Sequence, residues 1–153
     1  TIWLCQNHHM DGFTPPAERT TGTLHELGLS TRSGDLIDAV KVGLPIRVFR
    51  ALAEALSVSE ATLASVTGIS GTTLTRRKRS GHFTPDESEH VLRIATLLDQ
   101  ARQVFEDAGD AAEWLKTPNL SLGHKAPLEY ADTEIGAREV ENLLGRIDYG
   151  VYS

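Results

Sequence analysis

This chain of 153 residues reads as an all-α protein. Apolar side chains recur at spacings of three and four, the period of a helix with one buried face, and nowhere alternate with the period of two that a half-buried strand requires. Start and stop residues stand where helices need them: hydroxyl or carboxylate residues before the apolar runs, glycine or proline after them. The composition, 40% hydrophobic and 24% charged, is that of an ordinary globular chain with room for one or two small domains. A lone Cys5 excludes an internal disulfide framework, and no apolar run approaches the roughly 20 residues of a membrane span. Ile2-Trp3-Leu4-Cys5 is too short for the apolar core of a secretory signal, so a cytoplasmic protein is expected.

Residues 1–35 are rich in Thr, Pro, Gly and His without a sustained period, and read as a largely irregular N-terminal segment. The first ten, with Met10 following His8-His9, read as a remnant of a tag or of upstream sequence. Cys5, His8 and His9 lack a fourth ligand at finger spacing, so no metal site is expected there. Leu24, Leu27 and Leu29, then Leu36, Ile37 and Val40, are placed to make short helical pieces that pack on the downstream helices.

A sharper pattern starts at Pro45, a residue suited to a first helical position. Phe49, Leu52, Ala53 and Leu56 form an i, i+3, i+4, i+7 stripe. Ser59 is positioned to cap a shorter helix over 60–67, with Leu63, Ala64 and Val66 on its buried side. Gly68-Ile69-Ser70 then makes a tight connection in which glycine takes positive φ and Ile69 plugs the corner. Ser70 caps the next helix, 71 to about 80, with the sequence GTTLTRRKRS.

Helix, glycine-containing turn, helix is the layout of a helix-turn-helix, whose second helix enters the DNA major groove. With Leu74 towards the core, steps of about 100° put Thr72, Arg76 and Arg79 on the opposite face and Thr73 and Thr75 at its flanks. Arginine can pair with guanine through two hydrogen bonds, and threonine offers a hydroxyl to phosphate or a methyl to thymine. Arg77 and Lys78 fall nearer the core side and are expected to reach backbone phosphates along their aliphatic stems. A solvated basic helix end favoured by the helix dipole is the plainer alternative. Against it, four consecutive cations lie between Gly71 and Gly81 with no acid among them.

Thr84-Pro85-Asp86-Glu87 is a capping box with proline at the first helical position. The helix it opens runs to about Phe105. Val91, Ile94, Leu98, Ala101 and Phe105 line one side and Leu92, Ala95 and Leu97 a second, so it is expected to be covered on two faces. Asp107-Ala108-Gly109-Asp110 breaks it, and Asp110 is a candidate cap for the short helix carrying Trp114-Leu115. Pro118-Asn119 ends that helix, and Gly123 and Ala126-Pro127 restart the chain. Thr133 is the expected cap of a final helix with Glu134 at its positive end, and Val140, Leu143, Leu144 and Ile147 form its buried stripe. Gly150 stops it, leaving Val151-Tyr152-Ser153.

Net charge is −6, unevenly spread. Residues 1–85 hold nine Lys/Arg against seven Asp/Glu, and residues 86–153 hold six against fourteen. An acidic half suits a basic protein cleft, and a concentrated basic patch in the other half suits phosphate.

The residues Leu115, Thr117-Pro118-Asn119, Leu122-Gly123, Pro127-Leu128, Thr133, Gly136, Val140, Arg146-Ile147 and Gly150-Val151 stand in an order and spacing that resembles the toxin-binding domain of Xre/MbcA/ParS antitoxins. Tyr130-Ala131 and His124-Lys125 are mild departures. Upstream, TGISGTTLTRRKRSGHFTPDES resembles the Xre-like helix-turn-helix of the same family. Together the resemblance covers residues 45–153 and divides the chain into an N-terminal segment (1–35), a helix-turn-helix domain (36–83), a connecting helix (84–106) and a toxin-binding domain with its tail (107–153).

The resemblance implies an antitoxin of a type II toxin-antitoxin system. Its partner would be a RES-domain toxin that consumes NAD or transfers ADP-ribose from it, and it would also repress its own operon as a homodimer or toxin-bridged assembly on operator DNA. The candidate DNA-binding residues are Thr72, Thr73, Thr75, Arg76, Arg77, Lys78 and Arg79. The candidate partner-binding residues are Arg146, Tyr149, Gly150, Val151, Tyr152 and Ser153, approaching the toxin's NAD cleft. The alternative is a helix-turn-helix regulator whose C-terminal domain senses a small ligand, which would need an apolar pocket with placed polar groups. No phosphate-binding glycine loop, H-E-x-x-H pair or nucleophile elbow occurs, so neither an enzyme nor a cofactor is expected.

Overall fold

The computed structural model describes residues 21–150. They form α1 (Thr21–Glu26), α2 (Ser33–Val42), α3 (Ile46–Leu56), α4 (Glu60–Val66), α5 (Gly71–Ser80), α6 (Pro85–Val104), α7 (Ala108–Lys116), a 3-10 turn (Leu120–Leu122), α8 (Pro127–Tyr130) and α9 (Glu134–Asp148). No strand forms among the described residues, where pairing is limited to isolated bridges between Pro45 and His82 and between Asn119 and Lys125.

The long helix α6 is the axis on which the rest is assembled. Its start is the expected capping box: the Glu87 amide donates to Thr84 Oγ1 at 3.3 Å, and the Thr84 amide donates to Glu87 Oε2 at 3.0 Å. Val91, Ala95, Leu97, Leu98 and Ala101 are fully buried and Ile94 nearly so, because α1, α2, α3, α7 and α9 all pack on this helix. Burying one such Leu or Ile side chain stabilises the fold by about 1.5–3 kcal/mol relative to leaving it in water.

The loops before α3 and after α5 are tied to each other and to α6. The Phe83 amide donates to the Leu44 carbonyl at 2.9 Å and the Ile46 amide to the Gly81 carbonyl at 2.9 Å. The Leu44 amide finds the buried Ser88 hydroxyl at 2.8 Å. The rings of Phe49 and Phe83 meet at 5.4 Å beneath this junction. Pro45 acts as the cap of α3 rather than as its first residue.

Two expectations need correction. The stretch before residue 36 is not largely irregular where it is described: α1 and the start of α2 lie within it, and Leu24, Leu27 and Leu29 are buried, as their spacing led us to expect. The polar side of α1 explains its anchorage. Arg102 on α6 donates to Glu26 Oε2 at 2.8 Å and to Thr23 Oγ1 at 3.3 Å, and Gln103 donates to Asp99 Oδ2 at 3.1 Å. Asp99 is only 2% exposed. Burial pushes its carboxyl above the usual carboxylate range, and the Thr23 and Gln103 donors offset only part of that. Second, the cap of α7 is Asp107, which accepts from the amides of Gly109 at 2.6 Å and Asp110 at 3.2 Å. Asp110 sits inside the first turn instead, because Asp107 is the residue with the extended backbone a cap needs.

Candidate nucleic-acid and partner-binding surfaces

The hairpin α4–α5 is built by short-range caps. Ser59 Oγ accepts from the Thr62 amide at 3.1 Å and Ser70 Oγ from the Thr73 amide at 3.1 Å, so both helices start on a serine as expected. Between them Gly68 takes φ +72, open only to residues that tolerate the left-handed region, and Ile69 is 5% exposed in the corner. His90 of α6 donates from Nδ1 to the Thr67 carbonyl at 2.9 Å, fixing the turn on the long helix.

On α5 only Leu74 is buried. Thr72, Thr75, Arg76, Lys78 and Arg79 are exposed, while Thr73 and Arg77 are half-buried. The Thr75 hydroxyl donates to the Gly71 carbonyl at 3.0 Å, leaving its methyl outward, and the Ser70 hydroxyl donates to Thr73 Oγ1 at 2.9 Å.

The four cations separate into two pairs. Arg77 donates from Nε to Glu87 Oε2 at 2.8 Å and from Nη2 to Glu87 Oε1 at 3.0 Å, with both side chains below one-fifth exposed. Burial raises the Glu87 carboxyl, but the Arg77 hydrogen bond, the Thr84 amide and the guanidinium charge together outweigh it and leave the group below its ordinary value. Lys78 forms an ion pair with Glu60 of α4, to which Arg50 of α3 also contributes at 3.3 Å. The Lys78 hydrogen bond is the main reason the Glu60 carboxyl is lowered. Arg77 and Lys78 therefore tie α5 to α6 and α4. Arg76 and Arg79 form no ion pair among the described residues. With Thr72 they lie on the exposed side of the helix, away from buried Leu74.

At the other end of α6, α9 starts on Thr133, whose Oγ1 accepts from the Gly136 amide at 3.0 Å. Val140, Leu143 and Leu144 are buried, whereas Ile147 is only half-buried. Arg146 is exposed, Tyr149 is 84% exposed, and Gly150 takes φ +69 just past the helix. Val151, Tyr152 and Ser153 lie outside the described residues, as do Cys5, His8 and His9. Two exposed apolar residues on this side are not apparent from the sequence: Leu120 at 77% and Ile135 at 76%. A helical stripe marks which residues should be buried, but gives no sign that a stray apolar side chain faces water.

Nearby, the Tyr130 hydroxyl donates to Glu139 Oε2 at 2.7 Å, and that carboxylate raises the phenol above its ordinary value. Among the described residues no group of His, Cys, Asp and Glu is placed to hold a metal ion, and no helix is long and apolar enough to cross a membrane.

Comparison with known proteins matches both parts of the chain. The antitoxin Xre-like helix-turn-helix domain matches residues 35–95, and the antitoxin Xre/MbcA/ParS C-terminal toxin-binding domain matches residues 100–150. The antitoxin Xre of Yersinia enterocolitica is 38% identical over 141 residues, covering 90% of this chain and 95% of its own length. The antitoxin Xre of Photorhabdus laumondii is 32% identical over 145 residues, with 92% and 98% covered. A Prs ADP-ribosylating antitoxin of a Sphingobium species is 26% identical over 129 residues, with 78% and 81% covered. A helix-turn-helix domain followed by a domain of the toxin-binding type thus has counterparts that match along most of their length, and the chain belongs to the Xre antitoxin family.

Proposed function

We propose that this chain neutralises a RES-domain toxin that acts on NAD, by inserting its C-terminal tail into the toxin's active site, and that it represses its own operon through α5. The division is that of a helix-turn-helix domain over 36–83, a connecting helix over 84–106 and a toxin-binding domain over 107–153. The observation that carries the reading is the exposed end of α9. Arg146 and Tyr149 face solvent, Gly150 takes positive φ just past the helix, and Val151-Tyr152-Ser153 follow it in the sequence. Aromatic rings such as those of Tyr149 and Tyr152 suit a cleft built for a nucleotide's base. The name of the Sphingobium relative, an ADP-ribosylating antitoxin, supports a partner whose chemistry starts from NAD.

Repression needs two copies, since helix-turn-helix proteins generally read half-sites about 34 Å apart. A cytoplasmic homodimer, or an assembly bridged by toxin, supplies them. Cells expressing the toxin encoded beside this gene, with and without this chain, test the reading through growth and NAD level. Arrest and NAD loss that this chain reverses are expected. A harmless neighbour, or arrest that this chain leaves in place, would overturn it.

A further inference from the structure

Arg77 and Lys78 are both paired, but in different ways. The Arg77–Glu87 pair makes two hydrogen bonds between side chains that are each below one-fifth exposed. Glu60 instead meets Lys78 through Oε2 and Arg50 through Oε1, the latter at 3.3 Å. This second cluster is open to water: Lys78 is 37% and Glu60 32% exposed, and Arg50 more so. An ion pair so exposed adds little to stability, and its members remain within reach of other ions.

The position of the cluster gives it a bearing on DNA. Arg50 comes from α3, Glu60 from α4 and Lys78 from the last turn of α5. When a helix-turn-helix binds DNA, its second helix lies in the major groove and its first crosses the backbone, which brings α4 beside phosphates. Lys78 stands about 40° around α5 from buried Leu74, on the flank that meets α4, whereas Arg76 and Arg79 are on the far, exposed side. A carboxylate at Glu60 repels a phosphate and occupies two cations that would otherwise attract one. The Lys78 hydrogen bond holds the Glu60 carboxyl below its ordinary value, so the negative charge is in place at neutral pH. The helix dipole favours an acid at the start of α4, but gives no reason for it to bridge cations on two other helices.

We propose that Glu60 restrains sequence-independent DNA binding by occupying Lys78 and Arg50, so that Arg76 and Arg79 are the cations of α5 left open to DNA. The inference rests on the DNA-binding reading of α5 and adds to it a residue of α4 that acts against binding. Phosphate contacts supply essentially all of the affinity for non-specific DNA. Because a genome offers a vast excess of such sites, holding that affinity down leaves more of the chain free to occupy its own operator.

The test is full-length chain carrying Glu60→Gln, which removes the charge at nearly unchanged size, titrated onto a random-sequence DNA duplex over a range of salt and followed by fluorescence anisotropy. At about 0.1 M salt the variant should bind about five- to tenfold more tightly than the parent chain, and the slope of log affinity against log salt should steepen by about 1–2 as one or both cations turn to phosphate. In a chain already carrying Lys78→Gln, the same Glu60→Gln step should strengthen binding by about twofold at most. A gain of full size in that background would mark a net-charge effect and overturn the proposal, as would unchanged affinity and slope in the single variant. Weaker binding by Glu60→Gln together with a lower thermal midpoint would make the residue a structural support and overturn it as well. In each of these cases DNA binding by the parent chain stands. Failure of parent and variant alike to bind the random duplex or the DNA upstream of the operon would overturn the DNA-binding reading, and the proposal with it.

Discussion

Glu87→Ala asks whether the recognition helix is positioned by α6. Glu87 accepts three hydrogen bonds, from Arg77 Nε at 2.8 Å, Arg77 Nη2 at 3.0 Å and the Thr84 amide at 3.0 Å. Hydrogen bonds to a charged group contribute about 1.5–3 kcal/mol when buried, and a helix cap about 1 kcal/mol. Glu87 is 18% exposed, so solvent takes back part of this, and the substitution should cost about 2–3 kcal/mol. That corresponds to a fall in thermal midpoint of about 4–12 °C for a chain of this size.

The informative readout is DNA affinity, followed by fluorescence anisotropy on the DNA upstream of the operon at a temperature where the variant is folded. Removing a carboxylate beside a polyanion should, by charge alone, strengthen binding. If Glu87 holds α5 in place, binding weakens instead, and Arg77→Ala weakens it to a similar degree with no further loss in the double variant. The reasoning is refuted if Glu87→Ala binds more tightly while Arg77→Ala binds less tightly at unchanged midpoint. Arg77 would then be a phosphate contact after all.

Arg76→Ala, by contrast, should leave the midpoint unchanged and cost about 1–3 kcal/mol on its preferred DNA with altered sequence preference; uniform weakening across all sequences would make it a phosphate contact. Deleting Val151, Tyr152 and Ser153 should relieve inhibition of the toxin far more than it lowers the midpoint, and full inhibition by the truncated chain would count against a tail in the cleft. Asp99→Asn should stabilise the protein at pH 7. The raised folded-state pKa of Asp99 means its favourable contribution is complete below the reference value of 3.8 and is lost as pH rises through the folded value, so the advantage of asparagine should shrink on acidification. Glu60 and Glu87 act in the opposite direction: their lowered values stabilise the fold above the reference 4.5, and that stability is lost as pH falls through their folded values, so replacing either should flatten the acid limb of a midpoint-against-pH curve.

Local chemistry was enough to lay out the helices. Ser59, Ser70, Thr84 and Thr133 cap because a short hydroxyl side chain reaches the amide two or three residues on, a contact that depends on neighbouring residues alone. The stripe of α3 and the two-sided burial of α6 follow from the helical period in the same way. The run of cations on the second helix of a hairpin suggested DNA at one end, whereas the protein partner at the other followed from the resemblance of residues 115–151 to a toxin-binding domain and not from the order of the elements.

Long-range pairing decided the rest. Helical phase already separates Arg76 and Arg79 from Arg77 and Lys78 along the chain, but only the fold decides what the second pair meets: α6 brings Glu87 against Arg77 and α4 brings Glu60 against Lys78. Asp99 looks like a surface carboxylate in a helical repeat until α1 folds over it with Thr23. Asp107 and Asp110 are equally good caps by type, and the backbone turn at the end of α6 chooses between them. Gly145 and Gly136 are the same residue in the same helix, yet one is pressed against Tyr130 and the other opens on solvent. A sequence specifies which conformations each segment favours, but which charges are spent internally and which faces remain free depends on what the distant segments cover when they pack.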